Sequence, residues 1–182
     1  MAKINSFRKE FYYLSNFYEI PVTYNGLTYQ NNEAAFQAQK TLDEKERMSF
    51  TRMNPSEAKH AGRRITLRKD WEAVKVGIMH DIVEAKFRQN PSLAAKLIGT
   101  GNVYLEEGKA MLFLRKSTAG NTWGDRTWGS QCPVDIGFEP TGVKRRPVDG
   151  KGANNLGRIL MDIRQTLQQE MNLDKEGEDY ER

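Results

Sequence analysis

Glu33, Phe36, Gln37 and Lys40 fall at i, i+3, i+4 and i+7, so a helix carries all four on one face. A carboxyl group there is equipped for acid–base work, and a lysine that can lose its proton is a nucleophile. Lys75 and Lys86 form a second set. They fall within the apolar arc of Trp71, Val74, Ile78, Met79, Ile82 and Phe87 on a helix over about 71–89. An ammonium on a buried face costs several kcal/mol unless it is paired or wet. Burial also lowers a lysine's pKa and favours the reactive neutral form. Asp125 is a second carboxylate, set in a run with two Trp-Gly pairs, Trp123-Gly124 and Trp128-Gly129. A tryptophan in such a loop either plugs the core or stacks on a base. Arg63 and Arg64, with Arg68 and Lys69 nearby, present guanidinium forks suited to phosphate. Gly150–Gly157, with Asn154 at its centre, brings glycines and amides to a helix N-terminus, an anion or ribose site. Each set has a plain structural alternative. Glu33 can be a surface acid favoured by the helix dipole, the lysines can snorkel, the arginines can be solvated, and the glycine segment can be a capped loop.

Composition narrows the chemistry. Cys132 is the sole cysteine and His60 and His80 are the only imidazoles, which excludes an internal disulfide and any Cys/His zinc spacing. No metal and no cofactor is expected. No apolar run approaches the ~20 residues of a membrane span, and the N-terminus lacks a signal-peptide core. The expected location is the cytoplasm, with no membrane partner. Residues 174–182 carry five acids against two bases, a net −3, which leaves +7 on residues 1–173 of the overall +4. A basic body favours phosphate-bearing partners.

The elements that must hold these groups can be read in order. Asn25-Gly26 is a strong turn signal for a hairpin over 18–30. Asn31-Asn32 caps a helical stretch to about Met53 with a break, in which Ala34, Ala38 and Leu42 form an apolar arc. Asn54-Pro55 opens a short helix that Gly62 closes. Asp70 caps the helix over 71–89, and a shorter helix follows over 92–98. A second hairpin is expected over 103–114, then an irregular region over 115–153. The last helix runs from Leu156 to Met171, and the acidic tail beyond Leu173 is expected to be disordered. The sum is an α+β domain, predominantly α-helical, with small β-hairpins: one unit over 1–173 and a tail over 174–182.

In order along the chain, the sequence resembles the NADAR, or YbiA-like, family. The matching pieces are Ser15-Asn16-Phe17-Tyr18, Glu33 with Phe36-Gln37-Ala38-Gln39-Lys40, Gly62-Arg63, Trp71 with Lys75 and Met79, Lys86-Phe87 and Thr100-Gly101. They continue with Asp125 and Trp128-Gly129, then Gly152, Asn154, Leu156-Gly157, Leu160-Met161 and Arg164. The resemblance spans about residues 4–167. It implies a glycosidase acting on N-ribosides. One substrate class is ADP-ribose on guanine in nucleic acid, with an ADP-ribosyltransferase toxin as functional partner. The other is phosphorylated ribosylamino-pyrimidine intermediates of riboflavin synthesis. The Asn121–Gly129 run looks more like the members that remove ADP-ribose. A non-catalytic ADP-ribose reader is the competing class.

The resemblance also distributes roles. Glu33, then Asp125, is the acid that faces positive charge at the anomeric carbon, and Lys40 or Lys75 is the amine for a Schiff base. Asn16, Phe17, Gln37, Gly129 and Asn154 are expected to bind substrate. Phe36 and Trp128 would stack on a base, and Arg63 and Arg64 would take phosphates. Two departures stand out. Lys109–Gly120 is inserted between the acid that corresponds to Glu106 or Glu107 and Asn121, and residues 130–151 are longer than usual.

Overall fold

The structure is a computed structural model and describes residues 2–107 and 154–180. Asp125, Trp128, Gly129, Cys132, both insertions and the irregular region lie outside the described residues. The observed class is α+β and mostly helical, with two small sheets.

The expected first hairpin joins β2 (Glu19–Tyr24) to β3 (Leu27–Asn31). Asn25 and Gly26 both take positive φ, 49° and 78°, the requirement of a tight turn that matches strand twist. Val22 pairs with Tyr29, and both side chains are fully buried. The register shifts between Glu19 and Val22, where Pro21 has no N–H to give the ladder.

The Asn31 side chain then caps α1 (Asn32–Ala38) by accepting from the Ala34 amide at 2.8 Å. Every residue of α1 is buried, and the helix packs against β2, β3, α2, α3 and α4. The expected break comes at 39–43. Asp43 caps α2 (Glu44–Ser49), and a 3-10 turn, Phe50–Arg52, completes the stretch. Leu42 does not share an arc with Ala34 and Ala38. The helix ends first, its phase is lost, and Leu42 is 64% exposed.

The short helix α3 (Pro55–Ala61) carries a reciprocal capping box between Asn54 and Glu57 and stops at Gly62. The long helix α4 (Trp71–Gln89) has the expected limits, but Asp70 does not cap it. Its carboxylate takes both arms of Arg68, at 2.6 and 2.8 Å, a stronger charge-assisted pairing. Helix α5 (Pro91–Ile98) follows.

The second hairpin is corrected over its described part. β4 (Tyr104–Leu105) pairs in parallel with β1 (Lys3–Ile4), a strand too short to leave an alternating pattern in the sequence. The last helix, α6 (Asn155–Tyr180), is longer than expected and takes in most of the acidic tail. No proline interrupts 172–180, and its acids and lysine are compatible with helix. Leu156, Leu160 and Ile163 are buried, and α6 packs on α4, α5 and β4.

Candidate functional site

The first turn of α1 holds the candidate acid. The Glu33 amide donates to the Asn16 carbonyl at 3.1 Å, which fixes the helix start against the segment before β2. The Glu33 side chain is only 6% exposed, and its Oε1 accepts from Gln37 Nε2 at 2.9 Å. Phe36, one turn on, meets Trp71 of α4 with ring centres 5.0 Å apart. Lys40 lies past the end of α1, yet its amide still donates to the Gln37 carbonyl at 3.2 Å and its carbonyl accepts from the Arg68 amide at 2.7 Å. Its Nζ donates to the Gly62 carbonyl at 3.3 Å and stands 5.9 Å from the Trp71 ring centre. The four residues spaced for one helix face thus reach one locality, against the end of α3 and the start of α4.

Asn16 joins from the opposite side. It is 93% buried, with its Nδ2 on Met79 Sδ at 3.3 Å and its Oδ1 taking a long bond from Asn32 Nδ2 at 3.4 Å. Phe17 is half-buried, with Lys59 Nζ 5.4 Å from its ring centre. Lys75 sits one turn from Trp71 and one turn from Met79, between the two points where α4 meets this group. Its side chain is half-buried and paired with exposed Glu72.

Of the two lysines in the apolar arc of α4, Lys86 is the buried one. It is 1% exposed, and its Nζ donates to the carbonyls of Tyr13 at 2.6 Å and Ser15 at 3.0 Å. Burial pushes its pKa down to about 7. The two carbonyls lie one and three residues before Asn16, so Lys86 anchors the segment that leads into it.

Arg63 and Arg64 follow Gly62 and are exposed, Arg64 being bonded to His60 at 3.0 Å. Asn154 is buried at the start of α6. Its Oδ1 accepts from the Glu107 amide at 3.0 Å, and its Nδ2 donates to Tyr104 Oη at 3.1 Å and the Leu105 carbonyl at 3.0 Å. Its side chain is committed to joining β4 to the start of α6. A Cβ on Gly157 would meet the same Leu105 carbonyl, which explains a glycine one turn into that helix.

Sequence reasoning passed over Asn32, Lys59 and the internal role of Gly62. Asn32 was visible only as one of two capping candidates. Its Oδ1, like Gln37 Oε1, is buried without a hydrogen-bond partner among the described residues. Such acceptors are uncommon in native structures. No cluster of three or more metal-binding side chains occurs among the described residues, and no helix there is long and apolar enough to cross a membrane. Chemically, the site offers a carboxylate held by an amide, an amine held by a carbonyl, and an aromatic pair beside them. That set can stabilise a cationic centre, move a proton and attack an electrophilic carbon.

Relatives carry the same arrangement of chain. N-glycosidase YbiA of Escherichia coli strain K12 is 36% identical over 156 residues, which are 84% of this chain and 79% of that protein. A riboflavin biosynthesis protein of Vibrio vulnificus is 32% identical over 160 residues, covering 86% of this chain but 36% of that longer protein. The solution NMR structure of E. coli YbiA superposes with a TM-score of 0.68 at 33% identity, covering 93% of this chain and 87% of that one. The NADAR domain family matches residues 4–168. With fold, sequence and domain match in agreement, the chain belongs to the NADAR domain family.

Proposed function

We propose that this chain is an N-glycosidase that hydrolyses the bond between a base nitrogen and the anomeric carbon of ribose, and that its substrate is ADP-ribosylated guanine in nucleic acid. The observation that carries the reading is the linked acid and amine. Glu33 is bonded to Gln37, Gln37 lies against Gly62, and Gly62 holds Lys40. Breaking the glycosidic bond builds positive charge at the anomeric carbon, and an ionised Glu33 beside it stabilises that charge. The ring oxygen leaves the anomeric carbon with a proton, the base nitrogen's lone pair forms a C=N bond in its place, and neutral Lys40 Nζ adds to that carbon. The base then leaves with a proton, and water hydrolyses the resulting Schiff base. Lys40 is favoured over Lys75 because Gly62 and Gln37 link it to Glu33. Phe36 and Trp71, buried against each other, back the acid and the amine and leave no ring face for a base, while the exposed Arg63 and Arg64 beside Gly62 suit the diphosphate.

The name of the Vibrio relative favours a second reading, in which the riboside is a phosphorylated ribosylamino-pyrimidine. A paired assay decides between them. Release of ADP-ribose from a modified guanine oligonucleotide supports the first reading, and release of ribose phosphate from the pyrimidine riboside alone supports the second. A shifted oligonucleotide with no product would mark a reader. Lys40→Met is expected to abolish both turnover and borohydride trapping of an adduct seen by mass spectrometry. Wild-type turnover in both Lys40→Met and Lys75→Met would end the Schiff-base route.

A further inference from the structure

Gly62 ends α3 with φ −62° and ψ −5°, a right-handed helical conformation open to every residue. Its backbone therefore gives no reason for glycine. The reason lies across the helix pair. A Cβ built on Gly62 would overlap Gln37 Oε1 and stand 2.8 Å from Gln37 Cδ and 3.0 Å from its Cβ. The Gln37 side chain is 6% exposed, so it has little room to swing away. Its Oε1 has no hydrogen-bond partner among the described residues, so no bond holds that end of the amide. The other end, Nε2, donates to Glu33. Packing against the bare Cα of Gly62 is what sets the amide's direction.

We propose that Gly62 is a positioning residue for the acid. The space left by its missing side chain seats the Gln37 amide, and that amide holds the Glu33 carboxylate in its working orientation. The inference rests on the reading of Glu33 as the acid. The Gly62 carbonyl, which holds Lys40, is kept in any substitution. An effect of a new side chain therefore travels through Gln37 and not through the lysine contact.

The test is a double-mutant cycle with Gly62→Ala and Gln37→Ala, read by turnover and by the Gln37 side-chain amide signal in 15N-labelled protein. Gly62→Ala is expected to lower kcat about tenfold to a hundredfold with KM little changed, since small misplacements of a catalytic group cost this much. The Gln37 amide signal should move, as it should in Glu33→Gln. Against the Gln37→Ala background the same glycine substitution should cost nothing more. Equal loss in both backgrounds, or an unmoved Gln37 signal in Gly62→Ala, overturns the proposal. If Gly62→Ala alone fails to fold, the comparison of Gln37→Ala with the double variant still decides it. There, a further loss of kcat on adding Gly62→Ala shows the glycine acting apart from Gln37, and equal rates uphold the seat. The NMR signal separates this inference from the function. An inactive wild type with a Gln37 signal that answers to Gly62 sinks the glycosidase reading and leaves the seat intact.

Discussion

Helices α1 and α6 bury themselves by opposite rules. In α6 the buried large apolar side chains among the described residues are Leu156, Ile159, Leu160 and Ile163, a stripe at helical spacing. Its exception is Arg164, whose Nη1 is closed by Thr100 Oγ1 and the Val103 carbonyl, both at 2.8 Å. In α1 every residue is buried, and three of the seven are Asn32, Glu33 and Gln37. A helix that only had to fold would not enclose a carboxylate and two amides with acceptors left unpaired. The contrast separates a helix closed by an apolar stripe from one that encloses the proposed acid.

The sharpest way to test that contrast is Glu33→Gln. Turnover should fall by roughly 10²- to 10³-fold, the usual cost of losing one stabilising group at a reacting centre. The melting temperature should hardly move, because the new amide oxygen can still accept from Gln37. A large loss of stability with turnover per folded molecule intact would make Glu33 a packing residue. Leu160→Ala is the mirror image in α6. It should cost about 2–5 kcal/mol in denaturant unfolding, as a cavity in a closed core does, with kcat of the folded fraction unchanged.

Lys86→Met probes the seam between the two regimes and should cost about 2–3 kcal/mol, since it leaves the Tyr13 and Ser15 carbonyls unpaired. Its cost should also depend on pH. Burial holds the Lys86 pKa at about 7 against the usual 10.5. Between those values the unfolded chain keeps a proton that the folded chain has shed, so folding gains stability as pH rises through that window. The Lys86 contribution is therefore complete above about 10.5 and shrinks as pH falls toward 7. The gap between wild type and Lys86→Met should widen from pH 7 to pH 10 in parallel urea titrations. A constant gap would mean that Lys86 does not change its charge on burial.

Much of this was legible in the sequence where the code is local. Asn25-Gly26 demands two positive φ angles, and the hairpin has them. Asn54-Pro55 with Glu57 spells a cap, and α3 shows it. The spacing of Glu33, Phe36, Gln37 and Lys40 placed four groups on one face, and the structure keeps them in one locality although Lys40 lies beyond the helix end. Local code failed where a nearby partner outbid it. Asp70 is a good capping residue, but Arg68 two residues away offers it two charge-assisted bonds.

What the residues determined alone are the first hairpin's turn, the capped start of α3, the limits of α4, and the candidate acid with its helical neighbours. These follow from backbone geometry and residue type, which act over a few positions. What only the tertiary structure decided is which lysine is enclosed, why residue 62 has no side chain, and which strand β4 joins. Those answers depend on atoms brought together across 71 to 101 positions of chain for Lys86 and β1–β4, and across 22 to 25 for Gly62 with Lys40 and Gln37. No periodicity records such meetings, because packing between elements is set by shape and hydrogen-bond closure and not by order along the chain.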